Sequence, residues 1–490
     1  MKKKIAVIGS GFAGMSAASF LAKGGCEVTI YEKNETIGGR ARKFSADGFT
    51  FDMGPSWYWM PDVFESYFER LGYKVEDFYK LERLDPSYQV FFEDKLGVDI
   101  PASMDEIHQL FESIEEGSSS RLKQFLEEAA YKYEVGINDL VYKPGRSLTE
   151  FLDARLAIGV FKLHVFQSIS KYIRKYFTHP KLIQLLEFPV LFLGAKPQDT
   201  PALYSLMNYA DISLGTWYPQ GGMNKIVEGM GKVAKEHGVT IKTSTNVQKI
   251  EVANGSVKGI IINGKLLEYD YVVGGADYHH VEQQLLEPKY RMYDEKYWDS
   301  RAMAPSSLIY YLGVNKTLEK LRHHNLFFDE SFDTHAEEIY DAPQWPSKPL
   351  FYVCCPSKTD DTVAPAGMEN VFILIPVAPD LKDTEEERQK YFNMVMERME
   401  RLTGQSIREH VVYQRSYAHK DFISDYNSFK GNAYGLANTL KQTAILKPSI
   451  VNKKVKRLYY TGQLTVPGPG VPPSLISGQV TAKEILKSIG

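Results

Sequence analysis

The feature that most constrains the fold is a glycine pattern close to the N-terminus. It follows the G-x-G-x-x-G spacing and consists of Gly9, Gly11, Phe12, Ala13 and Gly14 with one intervening serine. The apolar run KIAVI (residues 4–8) precedes it, and MSAASFLAK (residues 15–23), rich in helix-forming residues, follows it. A strand, a glycine turn and a helix in this order predict a dinucleotide-binding fold of the Rossmann type.

Each glycine in this motif has a separate physical role. Gly9 permits the tight turn, Gly11 lets the backbone approach a pyrophosphate, and Gly14 lets the helix pack closely on the strand. The N-terminus of the helix carries partial positive charge that attracts phosphate. A second strand, EVTIY at residues 27–31, leads directly to Glu32. A carboxylate about 20 residues after the motif is placed to accept hydrogen bonds from ribose hydroxyls.

Length, charge and cysteine content exclude several classes of protein. A chain of 490 residues is too long for one simple core and indicates two or three structural units. A net charge of -3 gives no electrostatic support for nucleic-acid binding. Cys26, Cys354 and Cys355 show no spacing typical of a zinc site or a disulfide framework, so we expect no metal and a reducing cytosol.

Three further blocks of sequence resemble one family. After Glu32 come Gly38, Gly39 and Arg40, a combination that resembles the FAD enzymes of the amine oxidase and phytoene desaturase superfamily. GFTFDMGPSWYWMPD (residues 48–62) is similar to the carotenoid desaturase segment that enters the flavin region. RLYYTGQLTVPGPGVPPSLISGQVTAKEIL (residues 457–486) resembles the C-terminal signature of carotenoid desaturases, with one departure at Val466, where many relatives carry histidine.

This resemblance implies FAD as the cofactor and identifies further positions that contact it. Carried over position by position, these are Lys33, Gly39, Arg40, Gly54, Pro55, Ser56, Val247, Ala276, Asp277, Gly462, Gln463, Gly470, Val471 and Pro472. Val247 is expected on a strand that passes the adenine side. A helix is expected to begin near Ser474, with its N-terminal amides facing the isoalloxazine ring, where negative charge grows on reduction.

The predicted fold class is α/β, with a discontinuous Rossmann-type FAD-binding domain formed by residues 1–82, 215–282 and 452–490. Residues 83–214 are expected to form a helical substrate and membrane-associated region. Residues 283–451 are expected to form a substrate domain with a mixed sheet, since APSSLIYYLGV, FYVCCPS and NVFILIPVAP all read as strands.

The stretch Ala157–Phe177 has an apolar stripe at helical spacing that includes Phe161, Val165, Ile169 and Tyr172. Two interpretations remain open: a core-facing helix, or an interfacial membrane helix at the mouth of a substrate channel. No apolar run reaches the ~18 to 20 residues of a spanning helix. We expect a cytoplasmic protein, peripheral on the inner face of the cell membrane.

The resemblance implies desaturation of a long isoprenoid polyene. The first choice of substrate is phytoene, and the reaction is expected to proceed toward lycopene. In such a reaction hydride passes to flavin N5 and the resulting allylic cation loses a proton, so a strong catalytic base is not required. We assign no catalytic residue, and we expect the histidine pairs at 279–280 and 323–324 to be structural or solvated. Oxygen or a membrane quinone is expected to reoxidise the flavin.

Several alternatives stay open. Within the family they are a carotenoid 3,4-desaturase and a carotenoid isomerase, although the segment FDMGPSWYWMP favours phytoene. A more distant enzyme is an amine oxidase. From another class, Rab escort proteins and GDP-dissociation inhibitors share this architecture and bind prenylated partners without redox chemistry, but intact phosphate and flavin segments argue against them.

Overall fold

The computed structural model describes residues 2–94, 97–147, 150, 163–164, 166–439 and 441–490. Its helices are α1 (Phe12–Lys23), α2 (Pro61–Leu71), α3 (Met104–Ile114), α4 (Ser118–Val135), α5 (Ile169–Ile173), α6 (Pro180–Glu187), α7 (Leu206–Asn208), α8 (Asn224–Glu236), α9 (Tyr278–Leu285), α10 (Glu295–Asp299), α11 (Phe332–Ala336), α12 (Glu385–Thr403), α13 (His419–Tyr426) and α14 (Val471–Ile489).

A parallel five-stranded sheet brings together three distant parts of the chain. Its strands, in spatial order, are β19 (Leu458–Tyr460), β13 (Tyr271–Gly274), β1 (Lys4–Ile8), β2 (Glu27–Tyr31) and β9 (Thr240–Lys242). Ile5 and Val7 pack with α1 and α14 on one face, while Ala6 and Ile8 pack on the other. A parallel sheet covered on both faces explains why its strands read as continuous apolar runs.

The small three-stranded sheet that covers this second face consists of β10 (Lys249–Ala253), β11 (Ser256–Ile262) and β12 (Lys265–Glu268). Two further antiparallel pairs are the hairpin of β3 (Lys43–Ala46) with β4 (Phe49–Asp52) and the long-range pair of β5 (Leu81–Arg83) with β8 (Trp217–Pro219). The strands at residues 4–8 and 27–31 are those that the sequence predicts.

The second large sheet is mixed and has seven strands. In spatial order they are β18 (Val411–Tyr417), β14 (Ser306–Val314), β17 (Glu369–Val377), β16 (Phe351–Cys354), β15 (His324–Phe328), β6 (Tyr88–Phe92) and β7 (Gly97–Ile100). β15 and β6 run parallel, and the other pairs are antiparallel. The predicted mixed sheet is confirmed, but β6 and β7 come from the range expected to be helical. The domain boundaries stay a prediction.

The apolar stretch Ala157–Phe177 is not one continuous helix in the part that the structure describes. Phe161 and Val165 lie outside the described residues. α5 spans only five residues, and Ile169 and Tyr172 within it are 0% and 1% exposed and belong to the main core. The core-facing interpretation therefore holds for the described part of the stripe. None of the described helices combines the length and the apolar character needed to cross a bilayer.

Candidate functional site

One cavity of ≈ 420 Å³ is lined by residues of both large sheets. Of the twenty positions predicted to bind the cofactor, all except Gly14 line it. Gly14 acts through packing instead, because a Cβ there would lie 2.1 Å from the Gly9 carbonyl oxygen. The structure thus brings together predicted residues that are separated by as many as 463 positions, from Gly9 to Pro472.

The glycine turn has the geometry of a phosphate-binding loop. Gly9 has φ +97°, a conformation that L side chains rarely adopt. Gly11 has φ -68° and ψ 175°, and a Cβ there would meet no protein atom within 4 Å, since it points into the cavity. α1 begins at Phe12, and Gly11 offers no side chain to cap it. The first amides of α1 are therefore available to an anion.

Glu32 lies at the end of β2 and is 5% exposed. Its Oε2 accepts hydrogen bonds from the Ser10 amide (3.0 Å) and the Ser10 hydroxyl (2.7 Å), and its Oε1 accepts from the Asn34 amide (2.9 Å). These contacts fix the carboxylate against the glycine turn. Each carboxylate oxygen has two lone pairs, so Oε1 keeps capacity for a ribose hydroxyl.

Arg40 brings positive charge to the same end of the cavity. Its Nη2 donates to the Ser428 hydroxyl (2.9 Å) and the Asn432 carbonyl (3.2 Å), whereas its buried Nε has no protein partner. Burial lowers the pKa of Arg40, and the carboxylate of Asp277 acts in the opposite direction. A buried donor without a partner indicates space for an acceptor that the protein does not supply.

Asp277 is fixed by the chain that surrounds it. It caps α9 by accepting from the His280 amide (3.2 Å), and it also accepts from the Phe429 amide (3.3 Å). Burial raises its pKa, opposed by Arg40. β13 ends at Gly274, so Asp277 stands in the short connection between this strand and the helix that it caps.

Two local predictions at the cofactor end are wrong. α14 begins at Val471 and not near Ser474, and its next two residues, Pro472 and Pro473, have no amide proton. Only the Val471 amide is thus free to act as a donor in the first three positions of the helix. Val247 lines the cavity as predicted but lies in the loop between β9 and β10, because the strand pattern is interrupted at residues 243–248.

Beyond these residues the cavity continues into an apolar arm that the sequence did not indicate. We define this arm by Trp57, Trp59, Phe188, Ser307, Ile309, Leu326, Phe328, Phe332, His335, Ile339, Tyr340, Leu350, Tyr352, Leu374, Pro376 and Tyr434. One row of side chains in this arm crosses four strands of the mixed sheet. Ile309 pairs with Leu374, Leu374 with Tyr352, and Tyr352 with Leu326. Alternate residues of a strand face one side, so the row forms a continuous wall.

The polar groups of the apolar arm are few. His335 is held neutral, because burial lowers its pKa to about 4, and its Nε2 and Nδ1 pair with the Pro376 carbonyl (2.9 Å) and the Leu350 amide (3.0 Å). Ser307 has a buried side chain whose hydroxyl interacts with the Tyr434 hydroxyl. Tyr434 lies beside it, and burial raises the Tyr434 pKa to about 12.

The four histidines named in the sequence analysis lie in different environments. His279 stacks on Phe429 and pairs with Glu295 (3.1 Å). His280 lines the cavity, and burial lowers its pKa to about 4, so it is neutral. His323 and His324 are buried beside the apolar arm, next to Cys354. The burial of His323 and His324 agrees with the expectation that this pair is structural or solvated.

The residues at this end of the cavity fit a dinucleotide. An open approach at Gly11, uncapped amides at α1, an accepting carboxylate at Glu32 and the unpartnered Nε of Arg40 together match a pyrophosphate and a ribose. Sequence analysis missed Ser10, Thr245, Asn246 and Tyr426, which also line or fix this end. Only the loop residues after β9 had a usable indication, namely the break in strand alternation.

Comparison with known proteins agrees with this geometry. The model of the flavin containing amine oxidoreductase family matches residues 12–486. A carotenoid 3,4-desaturase of Haloarcula japonica is 41% identical over 99% of this chain and 98% of its own length. A 4,4'-diapophytoene desaturase of Staphylococcus haemolyticus is 32% identical over 99% of both chains. A zeta-carotene-forming phytoene desaturase of Myxococcus xanthus is 30% identical over 99% and 94%.

Solved structures share the fold. An oxidoreductase from Methanosarcina mazei superposes with a TM-score of 0.64, covering 98% of this chain and 100% of that one, at 17% identity. At this identity the likeness shows the fold alone. The predicted α/β architecture of the Rossmann type is confirmed, and the cofactor is FAD.

Proposed function

We propose a substrate for this chain on the premise that it belongs to the flavin containing amine oxidoreductase family. It is a FAD-dependent oxidoreductase acting on CH–CH groups, and its relatives make it a carotenoid desaturase. Within that class we propose that it introduces conjugated double bonds into phytoene, toward lycopene.

The observation that carries this proposal is the apolar arm. Among the described residues that define it, none carries a charge at neutral pH, and His335 has both ring nitrogens paired within the protein. The row Ile309, Leu374, Tyr352 and Leu326 presents a surface suited to a hydrocarbon chain. Transfer of an acyclic hydrocarbon such as phytoene into this arm leaves no polar group of the substrate unpaired.

Bound FAD supplies the oxidising chemistry, because it accepts two electrons and one hydrogen from the carbon chain. The protein itself has to bind the cofactor, orient the polyene and exclude water. Gly11 and the start of α1 would hold the pyrophosphate, and Glu32 would hold the ribose. The wall of the apolar arm orients the polyene and excludes water. The proton that leaves the neighbouring carbon needs no strong base, since a delocalised allylic cation is a strong acid.

A second candidate, desaturation of an oxygenated carotenoid at the 3,4 position, is favoured by two observations. The relative with 41% identity is named a carotenoid 3,4-desaturase. In addition, the Ser307 hydroxyl lies beside the Tyr434 hydroxyl, and Tyr340 is close to Tyr434, so the arm contains one polar patch. A substrate hydroxyl placed there gains hydrogen bonds of about 0.5–1.5 kcal/mol each.

A direct assay separates the two candidates. The purified flavoprotein is given phytoene, or a hydroxylated acyclic carotenoid, in liposomes, and the products are analysed by chromatography with absorbance detection. Our proposal predicts stepwise conversion of colourless phytoene into coloured products, since each new double bond lengthens the conjugated system. Unchanged phytoene together with conversion of the hydroxylated substrate supports the second candidate. No conversion of either substrate contradicts both.

The variant Leu374→Trp tests whether the apolar arm is the substrate site in this assay. The larger side chain fills the apolar arm on β17, a strand that is not part of the sheet with the glycine turn, so FAD content should equal that of the wild type while phytoene conversion falls at least tenfold. A variant that keeps full conversion contradicts the assignment of the arm as the substrate site.

We also infer peripheral contact with a membrane and reoxidation by oxygen or a quinone. The support for membrane contact is chemical, because phytoene resides in lipid, and structural, because Phe166 is 86% exposed. The acceptor is tested by stopped-flow mixing of the reduced flavoprotein with dissolved oxygen or with a quinone in liposomes. The physiological acceptor restores the oxidised flavin spectrum fast enough to support turnover.

A further inference from the structure

We propose that His323, His324 and Cys354 form a binding site for a zinc ion, located beside the apolar arm, where His324 and Cys354 follow its wall on the same face of the mixed sheet. Each residue offers one ligand atom, and these three atoms lie within 4.8 Å of one another. All three side chains are buried, with exposures of 4%, 0% and 4%. Imidazole nitrogen and thiolate sulfur are the preferred ligands of zinc in structural sites.

Strand pairing brings these residues together. β15 and β16 are antiparallel, and His324 is the direct cross-strand partner of Cys354. His323 stands just before β15, where its carbonyl accepts from the Cys355 amide at 2.7 Å. Directly opposed residues on neighbouring strands have Cβ atoms about 4.5–5.5 Å apart, which suits two ligands of one ion. The fold therefore fixes the ligand positions before any ion arrives.

The two imidazoles are oriented as metal-binding histidines usually are. The Nδ1 of His323 pairs with the Thr359 hydroxyl at 2.8 Å, and the Nδ1 of His324 pairs with the Tyr352 hydroxyl at 2.6 Å. The Nε2 atoms of both rings are buried and have no protein partner. With Nδ1–H as donor, each Nε2 presents a lone pair, which is the state that binds a metal. Two buried nitrogens without partners are otherwise unfavourable.

Space for a fourth ligand adjoins the cluster. A cavity of ≈ 30 Å³ is lined by His323 and Cys354 together with Asp52 and Tyr218. This is about the volume of one water molecule. The Asp52 carboxylate is fixed there, because it accepts from the amides of Met223 (2.7 Å) and Asn224 (2.9 Å). A carboxylate oxygen or a water can complete the four-coordinate shell of a structural zinc.

Such an ion has a structural role and takes no part in the redox step. Tyr352, which pairs with His324, also donates to the Ser56 hydroxyl at 2.9 Å. Ser56 lines both the large cavity and the small one. Zinc at the cluster therefore fixes β15, β16 and the wall near Ser56 in one arrangement. The inference does not depend on which carotenoid is the substrate.

Zinc content and zinc X-ray absorption test this proposal on the purified flavoprotein. After loading with zinc and gel filtration, we expect about one zinc per chain. The absorption spectrum should show one sulfur at about 2.3 Å and nitrogens at about 2.0–2.1 Å. Cys354→Ser should lose the sulfur and retain less than a tenth of the zinc, whereas Cys26→Ser, at a half-buried cysteine outside the cluster, should match the wild type.

Flavin content measures folding independently of zinc. Should Cys354→Ser lose FAD, His323→Gln serves as the second variant, and it should also lose most of the zinc. The proposal is overturned if the wild type retains less than a tenth of a zinc per chain. It is equally overturned if the bound zinc has no sulfur ligand, or if a flavin-loaded Cys354→Ser or His323→Gln protein keeps the zinc and the spectrum of the wild type.

Discussion

Replacing Gly11 by valine should separate cofactor binding from folding. The backbone at Gly11 has φ -68° and ψ 175°, an extended conformation that valine adopts without strain. A Cβ at this position meets no protein atom within 4 Å, so the apoprotein has room for the new side chain. We therefore expect the thermal unfolding temperature of the apoprotein to remain within a degree or two of the wild type.

FAD affinity should fall sharply in the same variant. The valine side chain points into the cavity where the backbone must approach the pyrophosphate. Overfilling a packed contact typically costs about 1–3 kcal/mol. This corresponds to a loss of affinity of about 5- to 150-fold. Titration of the apoprotein with FAD, followed by quenching of flavin fluorescence, measures this change.

Gly14→Ala is the matched control, because it changes the neighbouring glycine of the same motif. Its Cβ would lie 2.1 Å from the Gly9 carbonyl oxygen, a backbone atom that cannot move aside cheaply. This variant should unfold at a lower temperature and lose FAD only as a consequence. Wild-type FAD affinity in Gly11→Val would refute the assignment of the pyrophosphate site. A destabilised Gly11→Val apoprotein beside a stable Gly14→Ala protein would refute the packing argument.

Three further perturbations test other parts of the molecule. Glu32→Ala should weaken FAD by about 1–3 kcal/mol, through loss of charge-assisted hydrogen bonds; unchanged affinity in calorimetry contradicts the ribose role. Burial raises the pKa of Asp211 from 3.8 to about 7. The folded protein thus binds this proton more tightly, and the free energy of unfolding should fall as pH rises between these values, by on the order of 4 kcal/mol. Asp211→Asn should remove that slope in denaturant titrations, and an unchanged slope rejects the assignment. Phe166→Asp should reduce co-sedimentation with liposomes and leave flavin content intact; equal co-sedimentation argues against membrane contact there.

The residues named from sequence for the cofactor lie together at one end of the cavity, and each motif that identified them is local. The glycine turn depends on neighbouring residues, and so does the cap by Asp277 of the helix after β13. The errors also have local causes. Two prolines at the start of α14 lack amide donors. The loop at residues 243–248, which contains Val247, interrupts the strand pattern. A pattern of residue types indicates where an element lies more reliably than where it begins.

The apolar arm and the histidine–cysteine cluster could not be predicted in the same way. Both are made by the register between strands, as when Ile309 meets Leu374 or His324 meets Cys354. Register depends on pairing over long separations, which one sequence does not specify. The amphipathic stretch near Ile169 presents a related problem, because a protein core and a bilayer are both apolar. Its pattern alone could not decide between them.

The proposed cofactor and substrate sites are lined by different sheets, and this division bears on the spread of substrates among the relatives. The glycine turn and Glu32 belong to the parallel sheet, whereas the wall of the apolar arm is made by alternate residues of β14, β15, β16 and β17. Substituting a wall residue such as Leu374 changes the shape of the arm and leaves the glycine turn untouched. Full-length relatives named for different carotenoid desaturations can therefore share one cofactor site. On this reasoning, the few polar groups in the arm, Ser307 and Tyr434 in particular, decide between a hydrocarbon and an oxygenated substrate. Replacing them with alanine and phenylalanine should shift the preference further toward phytoene, as measured by the ratio of kcat/KM for the two substrates.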